Sequence, residues 1–374
     1  MPSYKNLLPG DSAPWFHARA TSRSDYAFDT AAGRYLVLCF FATAADARGR
    51  AAVDAALTLK HFFDDVFASF FGVTIDPTDE TQKRVASHLP GYRFFWDFDG
   101  LVSRLYGAIP HDTQPDKGEV PLRRIWVVLD PTLRVLKVIP FAADGSDAHV
   151  LETYLHSLPP PSRFAGFEVP APILVLPRVF EPEFCETLIA LYERHGGQET
   201  GFMQQADGKT VLRYGHDHKR RSDYVIADPE IIRHARQLFT RRVLPEILKA
   251  YQCKITRMER YIVACYAAEH GGHFRAHRDN TTKGTAHRRF AASINLNDDF
   301  DGGEISFPEY GPRSFKPPVG GAVVFSCSLL HTVSRMTRGR RYAFLPFLYD
   351  EDAAKIRQAN SAFLSEDVEI SEHS

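Results

Sequence analysis

"YAAEHGGHFRAHRDN" occupies Tyr266 to Asn280, and its reading decides the character of the C-terminal half of the chain. His277 and Asp279 stand two apart in it. On a strand, residues i and i+2 point to one face, so both side chains aim at one point. A third ligand must come from elsewhere. His331, in "FSCSLLHTVSRMTRGRRYAF", ends another apolar strand pattern. Two imidazoles and one carboxylate on one face of a metal make the 2-His-1-carboxylate triad, which leaves coordination positions open. An HxD by itself is weak, because most fall in surface loops, and a lone His331 reads first as a satisfied core histidine. Arg341 follows on the next strand pattern. A buried arginine binds a carboxylate through a rigid fork of donors, which suits an acidic cosubstrate whose other end reaches the metal. Arg338 and Arg340 read as solvated. Arg341, just before the apolar "YAFLPFLY", is the one expected to point inward.

Around this stretch, residues 255–349 read as almost all β: short runs such as "RYIVACY", "FAASINLN", "GEISFP", "GAVVFS" and "RYAFLPFLY", divided by Gly, Asp and Pro. Many short strands with glycine turns predict a sandwich or barrel. Two helices precede them. "FEPEFCETLIALYERHGG" carries Pro182 in its first turn and glycines at its end. "DPEIIRHARQLFTRRVLPEILKAY" has Asp228 as its N-cap, and Pro245 should kink or divide it. "LPPPSRFAGFEVPAP" is proline-dense and reads as a linker over 158–172. Before it, strand patterns alternate with helices starting near Gly49, Pro77, Gly100 and Asp147, which predicts an α/β domain over 1–157. The second domain is expected over 173–350, and 351–374 as an acidic tail.

The chain has 374 residues, more than one typical domain, with 44% hydrophobic and 24% charged residues. A net charge of −1 gives no global pull toward nucleic acid, and no apolar run is long enough to span a membrane. The first residues lack a signal-peptide pattern. Five scattered cysteines without a CxxC fit free thiols in a reducing compartment, so a cytoplasmic location is expected.

On the residues quoted, the stretch from about Ala171 to Asp350 resembles the prolyl 4-hydroxylase-like Fe(II)/2-oxoglutarate-dependent dioxygenases. "ERYIVACYAAEHGGHFRAHRDN", "FAASINLNDDFDGGEISFPEYG", "FKPPVGGAVVFSCSLLHTV" and "GRRYAFLPFLY" occur in that family's order. The resemblance implies a double-stranded β-helix (jelly roll) with the helices outside. It implies iron on His277, Asp279 and His331, and the distal carboxylate of 2-oxoglutarate on Arg341. Tyr266 matches a tyrosine that hydrogen-bonds the cosubstrate. Asn295 falls where some relatives use a tyrosine against the same carboxylate. The Gly302-Gly303-Glu304 turn reads as structural. The implied activity is hydroxylation of a C–H bond with O2, with 2-oxoglutarate decarboxylated to succinate and ascorbate as a reductant. A protein, peptide or amino-acid-like substrate, prolyl included, fits the resemblance, and so does a small molecule. The alternative is a sensor holding iron and 2-oxoglutarate without efficient turnover. His270, His273 and His287 lack a partner pattern, and the basic runs "HKRRSDY" and "HRRF" read as solvated loops.

"LLPGDSAPWF", "RYLVLCFFAT", "FFGVTIDPTDE", "FWDFDGLVSRLYGAI" and "RRIWVVLDP" together resemble the peroxiredoxin/thioredoxin-like fold of the thiol-specific-antioxidant kind. Peroxide reduction needs a thiolate, usually at a helix N-terminus beside an arginine. In "FFATAADARGR" (Phe40–Arg50) the matching positions are Ala45 and Arg48, or Gly49, and none is cysteine. Arg124 matches the site arginine of that family. Cys39 precedes the turn on a strand expected to be buried, so a thiol peroxidase through Cys39 is disfavoured and a redox-inactive domain is expected.

Overall fold

The structure, a computed structural model, describes residues 3–113, 120–206 and 208–365. It divides at Pro170 and Ala171 into two compact units, with Pro308–Pro312 grouped with the first. No helix among the described residues is long and apolar enough to cross a membrane.

In the first unit every residue of the strand Tyr35–Ala42 is buried. So continuous an apolar run fits the middle of a sheet covered on both faces. It lies parallel to Ala68–Thr74, which lies parallel to Tyr92–Trp96. On its other side Ile125–Leu129 and then Val135–Pro140 add antiparallel strands. Helices Ala47–Thr58 and Asp147–Ser157 bring Val53, Ala56, Leu151 and Leu155 into the cluster of Val37, Phe70 and Trp126. Phe16, Phe28, Phe95 and Tyr106 make a second aromatic cluster. This is a thioredoxin-like α/β fold. A hairpin, His17–Ala20 with Arg23–Ala27, extends the sheet beyond the expected strands. Its residues are largely exposed or half-buried, so they leave little hydrophobic alternation to read.

The turn at Phe40–Arg50 is closed. Asp46 caps helix Ala47–Thr58 by accepting from Gly49 N at 2.8 Å. Arg124 donates through Nη1 at 3.0 Å and through Nη2 to the two oxygens of that carboxylate. A carboxylate therefore holds the place between helix N-terminus and arginine where a thiol enzyme needs its thiolate. A Cβ on Gly49 would stand 1.8 Å from Thr43 O, so no side chain fits there. Cys39 is fully buried. Burial, with Asp147 adding to it against Arg124, pushes its thiol well above the ordinary range. Neither access nor thiolate character is provided for a peroxidase through Cys39.

The second unit holds a nine-stranded and a five-stranded sheet. The larger contains Ile262–Ala267, Phe290–Asn295, Ala322–Ser326 and Arg340–Phe344. The smaller contains Lys219–Arg220, His273–His277, Ile305–Ser306, Ser314–Phe315 and His331–Val333. This pair of sheets is the jelly roll. Helices Pro182–His195, Pro229–Arg242 and Leu244–Tyr251 pack on Val263, Cys265, Ala292, Ile294, Tyr342 and Phe344 of the larger sheet. Because side chains alternate, Tyr266, Ser293, Asn295 and Arg341 take the opposite face of the same strands. Asp228 caps its helix from Glu230 N at 2.8 Å, and the chain breaks at Val243, before Pro245, into two helices.

Two boundaries differ from expectation. The start of the 158–172 stretch is anchored: Tyr35 Oη donates to Pro159 O at 2.9 Å, and Phe164 packs on the first unit's core. The stretch expected as a tail begins with helix Glu351–Asn360, capped by Asp350 from Ala353 N at 2.7 Å. Glu351 and Asp352, expected within the tail, are first-turn acids facing the helix dipole. The acidic "EDVEISEHS" beyond 365 lies outside the described residues.

Gly49→Cys tests the closed turn. The variant is expected to lose about 2 kcal/mol or more in thermal or denaturant unfolding, since its side chain meets backbone. It should consume no peroxide. A variant as stable as the parent and active on peroxide would show that the turn has room for a nucleophile.

Candidate active site

The site begins with a strand pairing. His273–His277 runs antiparallel to His331–Val333, and the register sets His277 opposite His331. Directly opposed residues share a face, so the two imidazoles lie side by side, ring centroids 4.2 Å apart. Asp279 follows the strand and is tied back by its N–H to Cys327 O at 2.9 Å. One ligand atom each from His277, Asp279 and His331 lie within 4.8 Å of one another. His277 Nε2 is 3.6 Å from Asp279 Oδ1, and His331 Nε2 is 3.4 Å from Asp279 Oδ2.

The ring orientations are set from behind. His277 Nδ1 lies 2.7 Å from Arg275 O, and His331 Nδ1 lies 3.0 Å from Leu329 O. A carbonyl only accepts, so each Nδ1 carries the proton and each Nε2 turns a lone pair inward. Burial pushes His331 down to about 4, with His277 adding to it against Asp279. The imidazole is therefore neutral at ordinary pH and needs to shed no proton to bind a cation. Burial alone would raise Asp279; His331, His277 and Arg288 outweigh it and hold the carboxyl below its usual range. Phe274 stacks on His277, centroids 3.5 Å apart, and blocks one side of the ring. These three donors could hold one divalent cation and leave open positions.

A second cluster comes from the larger sheet. Arg341 is buried; its Nε donates to Asn295 Oδ1 at 3.0 Å and its Nη2 to Ser293 Oγ at 2.7 Å. Its Nη1 is buried with no hydrogen-bond partner. An unsatisfied buried donor costs about 1–3 kcal/mol, more when charged, so the guanidinium fits an anionic ligand at Nη1. Asn295 is itself held, since its Nδ2 donates to Pro317 O at 2.8 Å. It orients the arginine at the position where some relatives of the resembled family carry a tyrosine. Tyr266 pairs with Arg341 in register, and the guanidinium lies 5.6 Å from its ring centroid. Tyr266 also packs with Phe274, Phe300, Val333 and Met336, which joins the two clusters through apolar side chains. Gly302 and Gly303 have φ of +76° and +66°, and a Cβ on Gly302 would meet Arg335 O at 2.2 Å. Only glycine fits this turn, whose second residue abuts the Arg341 side chain.

Other residues fall elsewhere. His273 Nδ1 lies 2.8 Å from Gly271 O, away from the triad, and His287 is buried against Glu259. Arg338 and Arg340 stay exposed, paired with Asp301 and Glu269. Cys327 is buried, and burial followed by Asp279 pushes its thiol up. The run "HKRRSDY" is not a solvated loop. Lys219–Arg220 and Ser222–Val225 are strands, and Lys219, Arg221 and Asp223 are buried. These three lie at i, i+2 and i+4, the period of one strand face, and that alternation with an acid at its end was the readable signal.

Residues 261–349 match the sequence model of the 2OG-Fe(II) oxygenase superfamily. The chain is similar to a PKHD-type hydroxylase of Gluconobacter oxydans, 37% identical over 82 residues, which cover 20% of this chain and 36% of the relative. It is 25% identical over 180 residues to the PKHD-type hydroxylase PiuC of Pseudomonas aeruginosa, covering 46% of this chain and 75% of that protein. The chain thus spans about a third of the length of the first of these relatives. Among solved structures, the peroxidoxin BcpB of Mycobacterium tuberculosis aligns with a TM-score of 0.34 and 20% identity, over 41% of this chain and 99% of that one. The family match covers the strands that carry His277, His331 and Arg341 and the segment just past His277 that carries Asp279, so the residues similar to the 2OG-Fe(II) oxygenase superfamily are the ones that build this site.

Proposed function

We propose that the second unit is an Fe(II)- and 2-oxoglutarate-dependent hydroxylase acting on a C–H bond of a peptide or amino-acid-like substrate. The observation that carries the reading is the joint placement of three convergent metal donors and a buried arginine with one unpartnered nitrogen. His277, Asp279 and His331 would hold the iron. Arg341 Nη1 would take the distal carboxylate of 2-oxoglutarate, while Ser293 and Asn295 hold the guanidinium still. Tyr266 would donate its hydroxyl to the cosubstrate. Bound iron, with 2-oxoglutarate and O2, supplies the oxidising chemistry, and the cosubstrate leaves as succinate and CO2. Phe274, Phe300, Val333 and Met336 form an apolar cluster that would limit water near the oxidant. Two PKHD-type hydroxylase relatives support hydroxylation as the reaction. A peptidyl or free amino-acid side chain, prolyl included, is the substrate class that belongs to this reading. Ascorbate as a reductant belongs to the same reading. The first unit, with its nucleophile position filled, acts as a binding or stabilising module.

Anaerobic titration with Co(II) tests the metal donors by absorbance. One ion per chain is expected, with His331→Ala and Asp279→Ala each weakening binding by about a hundredfold or more. Retained parental affinity in both variants would remove the triad from the metal site.

Succinate formation with Fe(II), 2-oxoglutarate and a library of peptides and amino acids tests the activity. A +16 mass shift in a peptide or amino acid is expected, absent with His277→Ala. Arg341→Ala should raise the KM for 2-oxoglutarate more than about tenfold. Equal succinate yields from the parent and both variants would refute the assignment.

A further inference from the structure

Arg221 is a buried cation that the ligand set above does not use. Its Nε and Nη2 each donate to Asp223 at 2.7 Å, one to each carboxylate oxygen. That fork is a complete ion pair. The remaining nitrogen, Nη1, donates to Tyr266 Oη at 3.2 Å. Asp223 is itself held by Thr200 Oγ1 at 2.9 Å and Arg260 Nη2 at 3.0 Å. A carboxylate with this many donors is pinned, and the guanidinium it grips is pinned with it. Tyr266 lies between two guanidiniums, each 5.6 Å from its ring centroid.

A phenol has one proton to donate and accepts through its oxygen. Arg221 fills the accepting side, and this is the only hydrogen bond of the Tyr266 hydroxyl among the described residues. The proton is left to donate, in an environment where Arg341 Nη1 also lacks a partner. Both vacancies call for the same kind of ligand, an anion with carboxylate oxygens.

We propose that Arg221, anchored by Asp223, is a positioning residue for the cosubstrate: it fixes the Tyr266 phenol so that its O–H points at bound 2-oxoglutarate. The inference rests on the reading of this site as a 2-oxoglutarate site. It assigns a task to Arg221 and Asp223 beyond that reading, and it accounts for a buried ion pair that, as structure alone, contributes little net stability.

The test is calorimetric titration of the full chain, loaded with Mn(II) under anaerobic conditions, with 2-oxoglutarate. Tyr266→Phe, Arg221→Lys and the double variant are compared. Arg221→Lys keeps a charge against Asp223 and removes the donor to Tyr266. Each single variant is expected to weaken 2-oxoglutarate binding about five- to tenfold, with Mn(II) affinity unchanged. The double variant should bind no more weakly than Tyr266→Phe alone, because the arginine acts through the phenol. Asp223→Asn, which keeps the guanidinium but loosens its anchor, should shift binding in the same direction by less. Parental affinity in Arg221→Lys, or a double variant showing the product of the single effects, would overturn the proposal. A parent chain that binds Mn(II) but no 2-oxoglutarate would instead defeat the reading on which it rests.

Discussion

The antiparallel pairing of His273–His277 with His331–Val333 is the contact on which the second unit depends. It converts two histidines 54 residues apart in sequence into one facing pair. The register is pinned by Thr332 Oγ1, which donates to Phe274 O at 2.8 Å, and it shifts between Phe274 and His277. A slip of one residue would turn both imidazoles to the opposite face. Gly272, where a Cβ would stand 2.7 Å from Ala267 N, lets the chain turn tightly enough to enter this strand from Ile262–Ala267.

The larger sheet obeys a second constraint, the cost of burying charge. Arg221 answers it with a full carboxylate partner, Asp223. Arg341 is given only neutral acceptors, Asn295 and Ser293, and keeps one nitrogen unpartnered. Burial works against the Arg341 charge, and Arg221 adds to that, so an anion at Nη1 would be strongly favoured. The two arginines flank one tyrosine and are treated oppositely: one is closed by its own carboxylate, and the other keeps a nitrogen for a ligand. In the first unit the same logic runs in reverse. Asp46 satisfies both the helix N-terminus and Arg124, and nothing is left there for a thiolate to do.

Much of this was legible along the chain. Short apolar runs divided by Gly, Asp and Pro marked the strands that carry the site, and the i, i+2 spacing of His277 and Asp279 aimed both at one point, although Asp279 lies just past the strand's end. Arg341 was distinguished from Arg338 and Arg340 by its place at the edge of an apolar run. The basic run at Arg221 misled, because local charge density reads as solvation while its acid partner, Asp223, sits within the same run. Likewise Glu351 and Asp352 read as a tail, although they are the first turn of a capped helix.

The sequence alone determined the residue types, their strand faces and the order of elements, because side-chain period is a local property of the backbone. It also determined that no cysteine stands at the peroxidatic positions. Tertiary structure alone decided which distant strands pair, and hence that His331 meets His277 and Asp279. It decided that Asn295 serves Arg341 and that Arg221 reaches Tyr266. Those are contacts between strands far apart in the chain, and they follow from register and burial, which no local pattern encodes.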